Sequence, residues 1–98
     1  MREKVVESRL VRKSKEKGGW AVKWSPVGLR GMPDRIVLQA GGKIAFVETK
    51  APGKDPRPLQ ESRMRRLKGL GFRCYVADTP EKVDAFIEEF FGKEGDAE

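Results

Sequence analysis

Histidine is absent from this 98-residue sequence, and cysteine occurs once, at Cys74. Without histidine the chain cannot build a histidine-ligated zinc site, a Ser-His-Asp triad or a Cys-His dyad. A single cysteine forms no internal disulfide, so we predict a reducing, cytoplasmic setting and a buried hydrophobic role for Cys74. No apolar run approaches the roughly 18 residues of a membrane-spanning helix, and the N-terminus begins with Arg2, Glu3 and Lys4. We therefore predict neither a membrane span nor a signal peptide.

Basic residues outnumber acidic ones, with 21 Lys and Arg against 15 Asp and Glu, a net charge of +6 and a pI near 9.7. That balance favours a polyanionic partner, and nucleic acid is the first candidate. The hydrophobic fraction of 38% is that of a globular protein, and the length is that of one domain, which we place over residues 1–98. Residues 92–98 are predicted to form a frayed acidic tail.

Helix and strand signals predict an α/β protein with the element order α-β-β-β-α-β-α. A first helix over residues 2–17 should end at Gly18-Gly19, and a strand over residues 20–25 should follow it. Trp20 and Trp24 lie on one face of that strand. We expect core or dimer contacts from these two side chains rather than stacking on nucleic-acid bases.

The second half of the chain predicts a helix, a strand and a further helix. The first of these helices should begin at a proline preceded by Asp55 or Arg57 and run to about Leu70. A strand over residues 72–77 follows. The last helix carries an apolar stripe at helical spacing, which predicts packing rather than a cofactor site; the stripe consists of Val83, Phe86, Ile87, Phe90 and Phe91.

Residues 31–50 contain two apolar, β-type runs joined by Gly41-Gly42. Paired glycines accept the positive φ angles of short turns, so this pattern predicts a β-hairpin. Asp34 opens the first strand, and Glu48 and Lys50 close the second. The hairpin should therefore bring all three charged residues together at its open end.

The register of the hairpin decides whether Asp34 and Glu48 share a face. A two-residue loop made of the glycines alone would place Asp34 opposite Thr49, on the other face. A three-residue loop over residues 40–42, or a bulge, would place it opposite Glu48. We predict the second arrangement, because two carboxylates on one face make a cation site. The alternative is a surface hairpin whose charged rim is simply solvated.

Cationic residues crowd the predicted second helix and the loops around it. Between residues 57 and 68 there are five bases and only one acid, Glu61, which favours a phosphate-binding surface over a merely solvated face. The loop over residues 26–31 could lie against a phosphate or serve as a plain connection. The predicted nucleic-acid contacts are Lys23, Arg30, Arg35, Lys54, Arg57, Arg63 and Arg66.

The acidic residues suit a phosphodiesterase that uses a divalent metal. Hard oxygen ligands such as Asp34 and Glu48 bind Mg²⁺ or Mn²⁺ and leave coordination positions for water and a phosphate. Lys50, two residues beyond Glu48 on the same face, can orient the water or stabilise the transition state. Glu7 borders the buried side of the first helix, although a glutamate there could also be paired with a nearby base. Gln60 lies on the following helix.

The chain resembles the VRR-NUC family of the PD-(D/E)xK nuclease superfamily, and its small stand-alone, virus-type members in particular. The resemblance covers roughly residues 3–80. It rests on Glu7, on Pro33-Asp34-Arg35, on Glu48-Thr49-Lys50, and on two segments around the second helix start, Ala51-Pro52-Gly53 and Pro58-Leu59-Gln60.

The resemblance implies a restriction-endonuclease-like core, a mixed central sheet flanked by helices. By position, Asp34 and Glu48 would be metal ligands, helped by Glu7 and by the Thr49 backbone carbonyl. Lys50 would act on the water or the transition state, and Gln60 would orient the site. The family is similar to Holliday-junction resolvases in architecture, and its small members are expected to dimerise and to favour branched or structured DNA.

The resulting hypothesis is a Mg²⁺- or Mn²⁺-dependent DNA endonuclease without an organic cofactor. Three alternatives stay open at this stage. One is a dedicated Holliday-junction resolvase with the same chemistry. Another is a non-catalytic basic DNA-binding module with structural carboxylates, and the third is an RNA-processing nuclease.

Overall fold

The computed structural model describes residues 2–92, and the rest of the predicted acidic tail, residues 93–98, lies outside them. Within residues 2–92 the elements follow the predicted order, with bounds that differ from the predictions by a residue or two at most ends. The helices are α1 (Glu3–Glu16), α2 (Pro58–Gly69) and α3 (Pro80–Phe91), and the strands are β1 (Trp20–Lys23), β2 (Arg35–Gln39), β3 (Lys43–Thr49) and β4 (Arg73–Ala77).

The four strands of the described residues form one mixed sheet in the order β1-β2-β3-β4. β1 with β2 and β2 with β3 are antiparallel, and β3 with β4 is parallel. A parallel neighbour needs a crossover connection, and α2 provides it between β3 and β4. The predicted α/β class, the element order and the mixed central sheet flanked by helices are confirmed.

The β2–β3 hairpin has the predicted longer loop. Gln39 pairs with Lys43, which leaves a three-residue loop over residues 40–42. Gly41 and Gly42 adopt φ angles of 88° and 73°, values that other residues rarely accept. Because the register continues to the pair of Arg35 with Val47, the next step places Asp34 opposite Glu48, as predicted.

Helices α1 and α3 cover one face of the sheet and enclose the larger core. The strands contribute small or β-branched side chains, such as Val37 and Val47, that are fully buried. The apolar stripe of α3 packs here as predicted, with the rings of Phe86 and Phe90 stacked at 5.4 Å between centroids. From α1, Val6 and Leu10 are fully buried in the same cluster.

Helix α2 covers the other face, where a smaller cluster forms around Phe46, Met64 and Cys74. Cys74 is 9% exposed, which confirms its predicted role as a buried hydrophobic residue. Trp24 also packs there, with its ring 5.5 Å from that of Phe46. Trp20, by contrast, is 66% exposed and joins neither core. None of the helices between residues 2 and 92 is both long enough and apolar enough to cross a bilayer.

Candidate active site

The open end of the hairpin brings Asp34, Glu48 and Lys50 together, as the sequence predicted, and Thr49 lies among them. Asp34 immediately precedes β2, while Glu48 and Thr49 are the last residues of β3. Glu48 is only 4% exposed and Thr49 is fully buried. A carboxylate so deeply buried is costly unless it is paired or hydrogen-bonded, so its partners define the site.

Thr49 fixes the side chain of Asp34 in place. The Thr49 amide N–H donates to Asp34 Oδ1 at 3.2 Å, and the Thr49 hydroxyl donates to Oδ2 at 2.9 Å. Asp34 in turn donates its own backbone N–H to Glu48 Oε1 at 3.1 Å. The two acids are therefore linked through the Asp34 main chain, and the geometry of each depends on the other.

Glu48 accepts two further contacts at its second oxygen. Gln60 Nε2 donates to Glu48 Oε2 at 2.8 Å, and Lys50 Nζ lies 3.3 Å from the same atom. Gln60 is itself held at its other end, because its Oε1 accepts the backbone N–H of Arg57 at 2.9 Å. Pro58 begins α2 directly after Arg57. The start of α2 thus sets the orientation of Gln60, and Gln60 sets that of Glu48.

Both acids are held in an environment that opposes their ionisation. Burial is the main cause that raises the pKa of Asp34, and the hydrogen bonds from Thr49 partly counteract it. Burial also raises the pKa of Glu48, the negative charge of Asp34 raises it further, and Lys50 lowers it. A bound cation would stabilise both charged forms, so the electrostatics of the site favour occupancy by a metal ion.

A second group of acids extends the site towards α1. Carboxylate oxygens of Glu3, Glu7 and Asp34 lie within 4.8 Å of one another. Glu7 was predicted to join the site, whereas Glu3 was missed. A signal for Glu3 was available, since residues four apart on a helix lie on the same side. Glu48 is not a member of this carboxylate group, so Asp34 is the residue that joins it to the buried Glu48.

The predicted cationic contacts fall into three sets. Arg30 and Arg57 line one cavity together with Asp34 and Gln60. Arg35 differs, because its side chain is only 16% exposed and its Nη2 lies 3.5 Å from Glu7 Oε2. The remaining predicted contacts are on or around α2 and β1, with Lys23, Lys54 and Arg66 exposed and Arg63 half-buried.

A mixed α/β sheet flanked by helices, with paired acids and a lysine at the open end of its central hairpin, defines a restriction-endonuclease-like nuclease domain. No family model matches the chain. A solved structure described as a VRR_NUC domain is 30% identical, with a TM-score of 0.84 over 91% of this chain and 97% of that one. The protein named "Putative nuclease p44" of Acyrthosiphon pisum secondary endosymbiont phage 1 is 44% identical over 79 residues, 81% of this chain and 85% of its own length. The chain belongs to the VRR-NUC family of nucleases, as the sequence motifs predicted.

Proposed function

We propose that this protein is a DNA endonuclease that hydrolyses phosphodiester bonds with Mg²⁺ or Mn²⁺. The observation that carries the proposal is the pair of buried acids, Asp34 and Glu48, held with Lys50 and Gln60 at the open end of the hairpin. Membership of the VRR-NUC family and the nuclease name of the phage relative support it.

The chemistry of the donor set fits a hard divalent cation. The acids supply only oxygen ligands, and the burial that raises the pKa values of Asp34 and Glu48 would be offset by a bound cation. Asp34, Glu48, the Thr49 carbonyl and Glu7 would hold the ion, with Glu3 within reach of the same group. When bound, a divalent cation supplies Lewis-acid stabilisation of the phosphate and lowers the pKa of the attacking water.

The other side chains hold the reacting groups in position. Lys50 is only 15% exposed, and its Nζ lies 3.3 Å from Glu48 Oε2. The ammonium is therefore held where it can stabilise the charge that develops on the phosphate. Gln60 fixes the orientation of Glu48 through the 2.8 Å hydrogen bond. Both contacts are made before substrate arrives, and such preorganisation is what makes charge stabilisation effective.

The substrate we propose is branched or structured DNA. Arg30 and Arg57 border the acids, and Arg66 extends the positive charge along α2. Contacts of this kind displace condensed counterions, so binding should weaken steeply with salt. The phage origin of the relative supports action in the cytoplasm of a host cell.

We also propose that the protein acts as a homodimer. An apolar row crosses the sheet on the α2 face, since Trp20 pairs with Leu38 and Leu38 with Ile44. Phe72 directly precedes β4 and extends the row by one step beyond the first β3–β4 pair, Ala45 with Arg73. Trp20, Ile44 and Phe72 are 66%, 37% and 40% exposed. A second copy of the chain could cover this row, and two paired sites would suit paired nicks in a four-way junction.

Sedimentation of wild type and Ile44→Lys tests the homodimer. The variant should be a monomer, and a monomeric wild type would contradict the proposal.

The test of function is cleavage of labelled duplex, single-stranded, flap and four-way-junction DNA, and of RNA, with Mg²⁺, Mn²⁺ or EDTA. We expect cutting of DNA that needs metal and is abolished in Glu48→Ala. Glu16→Ala is the control, because Glu16 is an exposed residue paired with Arg12 at the far end of α1. Equal cutting by Glu48→Ala and wild type would refute the site.

The same set of nucleic-acid substrates distinguishes the three alternative functions. Exclusive cutting of the four-way junction would favour a dedicated resolvase, and preferred cutting of RNA would favour an RNA-processing nuclease. DNA binding that is indifferent to metal and to Glu48→Ala, with no cutting, would favour the non-catalytic module.

A further inference from the structure

A cavity of about 500 Å³ opens beside the carboxylates, between the segment after β1 and the beginning of α2. Ligand pockets typically measure about 300–1,000 Å³, so the cavity has the volume of a binding site. Asp34 and Gln60 belong to its lining, and it is therefore continuous with the candidate active site. The proposed chemistry requires only a phosphate at the acids and leaves this space without a role.

The lining combines apolar and cationic side chains. Trp24, Leu29 and Met32 contribute apolar surface, and Arg30 and Arg57 contribute positive charge. An aromatic ring and arginines in one cavity form a composition with which proteins bind unpaired nucleotides, since the ring can stack on a base while the cations contact neighbouring phosphates.

Contacts on both sides hold the cavity open in one shape. Arg63 Nε, from α2, donates to the Arg30 carbonyl at 2.9 Å and ties the loop to the helix. Gly31 has φ +81°, and a Cβ there would lie 2.7 Å from Leu59 Cγ, so only glycine permits this close approach. A site whose walls are fixed in advance binds its ligand with a smaller loss of conformational entropy.

A backbone hydrogen bond and a ring contact fix the position of Trp24 at this cavity. Its backbone N–H donates to the Asp34 carbonyl at 2.9 Å, which couples its position to that of the catalytic acid. Its indole packs on Phe46 at 5.5 Å and is only half-buried, while it also lines the cavity. The core contact expected for Trp24 therefore leaves part of the indole free to meet a ligand.

We propose that this cavity binds one unpaired nucleobase of the substrate, stacked against Trp24, with the adjoining phosphate at the acids. The inference rests on the proposed nuclease function and specifies its substrate class. A base in the cavity cannot be paired, and extracting it from an intact duplex costs the free energy of its stacking and pairing. DNA in which a nucleotide beside the scissile bond is already unpaired, such as a flap or an open branch point, avoids that cost and should be the preferred substrate.

Tryptophan fluorescence without metal tests the inference independently of cleavage. The sequence has two tryptophans, so Trp20→Phe leaves Trp24 as the reporter, and Trp24→Phe leaves Trp20. The probes are flap DNA, the same DNA with an abasic residue at the unpaired position beside the branch, and full duplex, all in EDTA. We expect quenching of Trp24 by the base-bearing flap alone and unchanged Trp20 emission. Equal Trp24 emission with the flap and the abasic flap would overturn the inference, whether or not the protein cuts DNA.

The effect on cleavage is tested by comparing wild type and Trp24 variants on the flap with the base and on the abasic flap. Base stacking contributes about 1–3 kcal/mol, so Trp24→Leu should slow cutting of the base-bearing flap at low DNA concentration by about 5- to 150-fold. On the abasic flap the loss caused by Trp24→Leu should be smaller, because that substrate has no base to stack on the ring. Trp24→Phe, which keeps a ring against Phe46, should restore most of the activity. Equal losses on both flaps would mean that Trp24 has only a structural role. If neither flap is cut with any metal, the nuclease proposal fails, and the fluorescence result still decides whether the cavity binds a base.

Discussion

The two faces of the sheet differ in how completely they are covered. On the α1 and α3 side, eleven buried hydrophobic residues form one closed core. On the α2 side the buried hydrophobic cluster of the described residues has three members, Phe46, Met64 and Cys74, with partly buried residues around them. That second side carries the basic helix, the cavity and the exposed apolar row. Glu48 follows Phe46 on it, because alternate residues of a strand share a face.

The difference indicates that stability and function are divided between the two faces. A 98-residue chain buries limited apolar surface, and a closed core on one side supplies much of what is available. The other side can then expose arginines, apolar side chains and a groove. The acids lie at the boundary between the two faces. Asp34 contacts Glu48 through its backbone and approaches Glu7 of α1 through its carboxylate.

Substitutions of packed side chains should show the largest difference between the two faces in the free energy of unfolding. Leu10 is fully buried in the closed core, so Leu10→Ala should lower the free energy of unfolding by about 2–5 kcal/mol. Leu67, which is half-buried on the α2 side, provides the matched substitution. Leu67→Ala should cost less, on the order of 1–2 kcal/mol, because less apolar surface is lost. Urea denaturation of both variants measures the difference, and equal losses would contradict the division between the faces.

The acidic groups on the two faces should respond to pH with opposite signs. A pKa raised by burial, as for Asp34, means that the folded state binds the proton more tightly than the unfolded state. The associated stability is present at low pH and is lost as pH rises through the folded-state pKa. Asp34→Asn keeps the shape and can keep both Thr49 contacts. In EDTA at pH 7 it should therefore melt above wild type, with the gap closing below about pH 4.

Asp84 on α3 provides the opposite case. Its two oxygens accept hydrogen bonds from Arg9 at 2.8 Å each, and these contacts lower the pKa of Asp84. The associated stability is present at neutral pH and is lost as pH falls through the lowered folded-state pKa. Asp84→Asn should therefore melt below wild type at pH 7. Thermal melting between pH 3 and pH 8 compares the three proteins, and a shift of the same sign for both variants at pH 7 would contradict the electrostatic account.

The smallest effect should come from the exposed charges of the two faces. Arg66 on α2 and Lys15 on α1 are both exposed. If Arg66 contacts one phosphate, Arg66→Gln should reduce the slope of log K against log salt by about 0.9 and weaken all DNA probes alike. Lys15→Gln should leave the slope unchanged. Fluorescence anisotropy across a salt series measures both slopes, and an equal reduction in the two variants would mean that DNA contacts are spread over both faces.

Local patterns predicted the parts of this molecule that depend on neighbouring residues. The spacing of Val83, Phe86 and Phe90 predicted the packing stripe of α3, and the glycine pair with its flanking strands predicted the hairpin and its three-residue loop. The motif around Glu48 predicted the gathering of charges at the hairpin's open end. These features depend on periodicity and on turn chemistry, which can be derived from sequence.

Features that depend on packing between distant segments were not predictable in the same way. The helical spacing places Glu3 on the same side as Glu7, but the approach of both to Asp34 depends on how α1 packs against the hairpin, which no local pattern specifies. Arg35 was predicted to contact nucleic acid, yet its guanidinium lies beside Glu7 on the α1 side. The cavity at Trp24 exists because Gly31 packs against Leu59, a contact between a loop and a helix distant in sequence.

The most direct test of the account is calorimetric titration of Mn²⁺ into wild type and Glu48→Gln, with Asp84→Asn as the control. We expect wild type and the control to bind one or more Mn²⁺ ions. The affinity of Glu48→Gln should be at least about tenfold weaker, because that substitution removes a charged ligand. Identical Mn²⁺ affinity in wild type and Glu48→Gln would contradict the claim that the buried acids at the end of the hairpin hold the metal.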